Sequence, residues 1–130
     1  MKKLLKPIKV SMKVKTWTTE KADRIFSRWI RDRDKRCMRC GKTENLQCSH
    51  FWSRRHSSVR YDPKNCVAAC AGCHLYHWEV EKQGHYRDFM IQWLGQEEYD
   101  ALMRRAQGSK KRTDAIRECM RELGYLEEKI

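Results

Sequence analysis

Cys37-Met38-Arg39-Cys40, then Ser49-His50, then Asp62-Pro63-Lys64-Asn65, then Cys70-Ala71-Gly72-Cys73-His74: in this order the chain places its chemistry-bearing residues. Each C-x2-C pair supplies two thiolates on a tight turn, half of the tetrahedron that a structural Zn²⁺ requires. Residues 41–69 separate the pairs, a distance that fits a strand, a loop and a second strand between the two half-sites. The reading is one structural zinc on Cys37, Cys40, Cys70 and Cys73, with Cys48 or Cys66 as the alternative to one of the four. Such an ion is coordinatively full, so its role is to staple and not to react.

Working outward, Gly41 is suited to the positive φ that the first knuckle needs. Leu46 to Trp52 alternates as a strand, which puts Leu46, Cys48, His50 and Trp52 on one face. Asp62-Pro63 marks a turn, Asn65 to Ala69 a second strand, and Cys70–Cys73 leads into a helix bearing His74 and His77. Upstream, Ala22, Ile25, Phe26, Trp29 and Ile30 form an apolar stripe at helical spacing, capped by Thr18 or Thr19 and ending near Asp34. Downstream, helices are expected over about His85–Leu94, Gln96–Gln107 and Lys111–Leu123, punctuated by Gly95, Gly108 and Gly124. The fold class is therefore small α+β: a zinc-stapled hairpin and helix, one helix before it and a helical C-terminal extension. In residues, this divides into a basic arm (1–18), the core with its preceding helix (19–83) and the extension (84–130).

The 29 Lys and Arg against 17 acids give a formal charge of +12. That imbalance suits a phosphate backbone and has no use for a neutral small-molecule substrate. Residues 1–19 carry six lysines and no acid, an arm able to lie along nucleic acid or simply to solubilise. No stretch approaches the roughly eighteen apolar residues of a membrane span, and the basic start lacks the apolar region of a secretory signal. Seven cysteines, an odd count outside a secreted context, argue against a disulfide framework and for a reducing cytosol. Cys48, Cys66 and Cys119 read as reduced, buried small hydrophobes.

Three residues inside the stapled segment carry a candidate chemistry. Hydrolysis of a phosphodiester needs a base that is neutral near pH 7, and His50 fits; the competing reading is a hydrogen-bonded strand histidine. His74, fixed by the adjacent thiolate at the start of a helix, is placed to hold a divalent ion such as Mg²⁺ or Mn²⁺ near the phosphate. His77 is open between a second metal ligand, a phosphate contact and a surface residue. The Asn65 amide can tie the loop that positions His50. Arg54, Arg55, Arg60 and Lys64 crowd that loop and suit phosphate clamping, with Arg60 favoured for the scissile phosphate because it enters the second strand. A second basic cluster, Arg104, Arg105, Lys110, Lys111 and Arg112, is either a DNA-backbone contact or a solvated turn.

His50, Asn65 and His74 between two C-x2-C pairs resemble the HNH, or ββα-metal, endonuclease family. The strings Arg24-Ile25-Phe26-Ser27-Arg28-Trp29-Ile30-Arg31-Asp32-Arg33-Asp34, Ser49-His50-Phe51-Trp52-Ser53-Arg54 and Arg60-Tyr61-Asp62-Pro63-Lys64-Asn65 are similar to the lambdoid-phage recombination proteins called NinG or Rap. The family resemblance implies His50 as general base, Asn65 as loop-orienting residue and His74 as a ligand of a catalytic metal, with 5′-phosphate and 3′-hydroxyl products. The branch resemblance implies a recombination nuclease of the host cytoplasm acting on branched DNA such as D-loops, flaps or Holliday junctions. Two departures stand out: Ser49 occupies the position where HNH enzymes usually carry an acidic ligand, and His74 follows the last cysteine where NinG-like chains tend to have asparagine. The rival expectations are an HNH nuclease that nicks ordinary duplex, as in phage packaging, and a non-catalytic zinc module that binds DNA. A homodimer is compatible with all three.

Overall fold

The computed structural model describes residues 17–80 and 84–125; the expected basic arm, apart from its last two residues, lies outside the described residues. The order of elements is α1 (Thr19–Asp34), β1 (Leu46–His50), a 3-10 turn (Pro63–Asn65), β2 (Cys66–Cys70), a π-helix (Cys73–Val80), α2 (His85–Leu94), α3 (Gln96–Ala106) and α4 (Arg112–Glu122). This is a small α+β architecture, and the expected elements are present within a residue or two, except that β1 stops at His50.

α1 begins where Thr18 Oγ1 accepts the Lys21 amide at 3.0 Å, satisfying one of the orphan donors of the first turn. It buries Ala22, Phe26, Trp29 and Ile30. It ends because Lys35 adopts the left-handed conformation, with φ 66°, and returns its amide to the Arg31 carbonyl.

β1 and β2 pair antiparallel with His50 opposite Cys66 and Leu46 opposite Cys70. A two-stranded hairpin is marginal alone, and here it is sandwiched. One apolar cluster joins α1, Cys66 and α4 through Phe26, Trp29, Ile30, Ile116, Cys119 and Met120. The other joins Val67 and Ala69 to Trp78, Tyr86, Met90, Tyr99 and Leu102 of the π-helix, α2 and α3. The helices expected as a C-terminal extension thus supply walls to both clusters.

The outer edge of β2 is covered by hydrogen-bonding groups from α1 and the knuckle. Asp34 Oδ2 accepts the Ala68 amide at 2.8 Å, Arg33 donates to the Cys66 and Pro63 carbonyls at 2.7 and 2.9 Å, and the Met38 amide donates to the Ala68 carbonyl. Edge groups that would otherwise be open to a foreign strand are occupied.

The strand expected to run to Trp52 is cut short by Asn65. The Phe51 amide bonds the Asn65 carbonyl, after which the Asn65 side chain takes over the backbone of Trp52. Cys48 packs against the α1 cluster, whereas Leu46 and Trp52 pack with the opposite one. The four residues expected on one face are therefore divided.

Candidate functional site

The four cysteines of the two C-x2-C pairs meet. Their sulfurs all lie within 4.8 Å of one another, and Cys40 Sγ is 3.7 Å from Cys70 Sγ. A tetrahedral zinc with Zn–S bonds of about 2.3 Å asks for sulfurs roughly 3.8 Å apart, so the cluster is compatible with a structural zinc. The first knuckle is closed by Gly41 at φ +86°, by Gly41 N–H to Cys37 O and by Cys37 N–H to Lys42 O. The Cys40 amide donates to Cys37 Sγ at 3.5 Å. Burial pushes the Cys37 thiol up, but backbone amides of Cys70, Cys40 and Arg39 outweigh it and bring the group down to about 6. Burial instead dominates at Cys73, raised to about 12 even with Arg39 donating to its sulfur at 3.4 Å. Without a cation the cluster does not hold four thiolates together, and a divalent ion supplies the missing charge.

Beside the cluster lies a cleft of about 460 Å³ lined by Asp23, Gln47, Cys48, His50, Arg54 and His74, among others. Two of the three expected catalytic residues, one from β1 and one from the first turn of the π-helix, thus share one cavity. His50 Nε2 is 2.9 Å from the Arg60 carbonyl. A carbonyl only accepts, so Nε2 carries the proton and the lone pair sits on Nδ1. Burial is the largest influence on His50 and lowers its pKa; the Arg60 carbonyl and Asp23 oppose it, Arg54 and Arg60 reinforce it, and the result falls from 6.5 to about 4. At neutral pH the ring is uncharged. His74 Nδ1 is held by Gln47 Oε1 at 2.8 Å, which orients its ring at the rim. The side chain of His77 lies outside the described residues.

Asn65 is wholly buried, and its amide is fully hydrogen-bonded to the loop backbone. Its oxygen accepts from the Trp52 amide at 2.8 Å, and its nitrogen donates to the carbonyls of Trp52 at 3.0 Å and Val59 at 3.1 Å. The start and the middle of the loop between the strands are pinned to one side chain at its end.

Among the expected phosphate contacts the structure separates free from occupied groups. Arg60 is buried, 8% exposed, and its guanidinium grips Asp23 through two bonds of 3.0 and 2.6 Å. It also donates to the Arg54 carbonyl. Arg60 therefore positions the loop and is not presented to a phosphate as expected. Lys64 pairs with Glu98 at 2.8 Å. Arg54 keeps most of its side chain in solvent, 3.5 Å from Asp23, and Arg55 is exposed. In the second basic cluster, Arg105 is bound to Asp62 and Lys110 to Glu118.

Ser49 sits on the other side of the hairpin from His50. It is fully buried and shares a 2.7 Å hydrogen bond with the Tyr86 hydroxyl, whose ring stacks on Trp78 at 4.0 Å. It ties β1 to α2 and lies away from the cleft. Two participants were not legible in the sequence. Asp23, on the charged side of α1, collects Arg60, Arg54 and the Tyr61 hydroxyl, the last at 2.8 Å. Burial raises its pKa, but these donors outweigh it and hold the carboxyl below its ordinary value. Gln47 gave no hint beyond lying on an exposed strand position.

The family model described as "NinG: Bacteriophage Lambda NinG protein" matches residues 2–127. No curated protein and no solved structure matches the chain.

Proposed function

From a chain that belongs to the bacteriophage Lambda NinG family, we propose a metal-dependent DNA endonuclease of the HNH type, serving phage recombination on branched DNA. The observation that carries it is the shared cleft, where His50 and His74 stand beside a zinc-compatible cluster. His50, neutral and oriented by the Arg60 carbonyl, removes a proton from the attacking water through Nδ1. His74 would hold Mg²⁺ or Mn²⁺, which when bound supplies positive charge to the phosphorane-like transition state and the departing 3′-oxygen. Arg54, exposed at the cleft, and Arg55, exposed next to it in the loop, grip the phosphate backbone, while Asn65 fixes the loop that aims them. The +12 charge supports DNA as the substrate.

A second reading, a non-catalytic zinc module that binds DNA, is favoured by one observation. The one carboxylate among the described residues that line the cleft, Asp23, is taken up by Arg60, Tyr61 and Arg54, so that carboxylate is committed to the loop and not to a metal. One assay separates the two readings: linear duplex, flap and four-way-junction DNA incubated with Mg²⁺ or Mn²⁺, with an EDTA control. Metal-dependent cleavage with a preference for the branched substrates is expected. Binding without cleavage in either metal would leave the non-catalytic module standing, and equal nicking of linear duplex would remove the preference for branched DNA.

A further inference from the structure

Outside the four-cysteine cluster, Cys48, His50 and Cys66 also bring their ligand atoms within 4.8 Å of one another. We propose that these three residues form a second metal site for a thiophilic divalent ion such as Zn²⁺, and that filling it removes His50 from catalysis. The second half of this proposal rests on the nuclease reading above.

The hairpin register creates the site. His50 faces Cys66 directly, and Cys48, two residues earlier, shares the His50 face. Both cysteines are free of disulfides, and Cys66 is wholly buried. The bond from His50 Nε2 to the Arg60 carbonyl is the arrangement that orients a ligating histidine, leaving Nδ1 for the ion. Cys48 and His50 open onto the cleft, so a fourth position is available to water. Three protein ligands and an open position make a weaker site than four thiolates. Two sulfurs and an imidazole also select Zn²⁺ over Mg²⁺ or Mn²⁺, so the hard ion proposed at His74 does not compete for it. An ion on Nδ1 occupies the lone pair with which His50 would accept a proton, so the two uses exclude each other.

Reduced full-length protein stripped of metal is titrated with Co²⁺ and followed by its visible thiolate-to-cobalt and ligand-field absorption. The expected result is two equivalents, one tight and one weaker, with Cys48→Ser binding one and keeping the tetrathiolate spectrum. A single equivalent in the native protein, or two in Cys48→Ser, overturns the site. Should Cys48→Ser fail to fold, alkylation of the native protein decides: the second equivalent of Zn²⁺ must slow modification of Cys48 at least tenfold, and no protection overturns the proposal. Cleavage in Mg²⁺ should fall tenfold or more at that same second equivalent in the native protein and not in Cys48→Ser. Unchanged cleavage overturns the regulatory half. If no DNA is cleaved under any condition, the nuclease reading fails, while the metal count still decides the site.

Discussion

At the scale of single residues, the centre depends on how each polar group is occupied. His50 is held neutral by burial, and this has a thermodynamic consequence. Its folded pKa of about 4 lies below the ordinary 6.5, so between these values the unfolded chain binds more protons than the folded one. Stability is therefore fully present above pH 6.5 and is lost as pH falls towards 4, by on the order of 3 kcal/mol. Urea unfolding at pH 7 and pH 5.5, on protein carrying one zinc, should show the native chain losing about 1 kcal/mol more than His50→Gln over that interval, any loss at the cysteine cluster being common to both. His50→Ala should retain DNA binding yet lose cleavage by about a hundredfold or more, the usual worth of a general base; single-turnover rates on a junction substrate check it. Asn65→Ala leaves the Trp52 amide and the Trp52 and Val59 carbonyls without their shared partner, and should cost about 2–4 kcal/mol in chemical denaturation.

Among the elements, the hairpin is the weakest piece and the most heavily supported. Two five-residue strands cannot hold a register alone. Three supports fix it: the cysteine cluster at one end, Asn65 at the loop and the Arg33–Asp34 pair along the β2 edge. Zinc-site binding energy is folding energy on the order of 10 kcal/mol, so Cys37→Ser or Cys73→Ser should lose tightly held zinc and the cooperative thermal transition together. Native thermal stability in either variant would remove the staple from the architecture. The polar edge should matter less. Asp34→Asn keeps a side-chain oxygen for the Ala68 amide but loses the charge facing Arg33, and is expected to cost about 1 kcal/mol.

For the whole molecule, the excess positive charge is spread over many residues, and the fold decides which of them can meet a phosphate. Arg54 stands in solvent at the cleft and Arg55, its neighbour in the chain, is exposed, whereas Arg60 is buried on Asp23. Alanine at Arg54 or Arg55 should weaken DNA binding evenly across sequences and flatten its salt dependence by about one unit of slope per lost phosphate contact. Arg60→Ala should behave differently, costing roughly 1–3 kcal/mol of stability by removing two of the hydrogen bonds to Asp23 and the one to the Arg54 carbonyl, and leaving the salt slope nearly unchanged. Salt-dependent affinities paired with denaturation curves for the three variants make the comparison. A flattened slope in Arg60→Ala alone would reverse the assignment.

The order of elements and the cysteine pairs were determined by sequence alone, because each rests on local spacing. A helical stripe, a C-x2-C knuckle and an Asp-Pro turn involve residues close enough along the chain for the pattern to show. Tertiary structure decided what depends on partners distant in sequence. It turned Arg60 from a phosphate clamp into the partner of Asp23, 37 residues away, and turned Ser49 inward to Tyr86. It also brought Cys48 and Cys66, which read as buried hydrophobes or as a substitute ligand of the first zinc, so close that their sulfurs and a His50 ring nitrogen lie within 4.8 Å of one another. Strand register and helix packing set those distances, and neither leaves a mark in the residues one at a time.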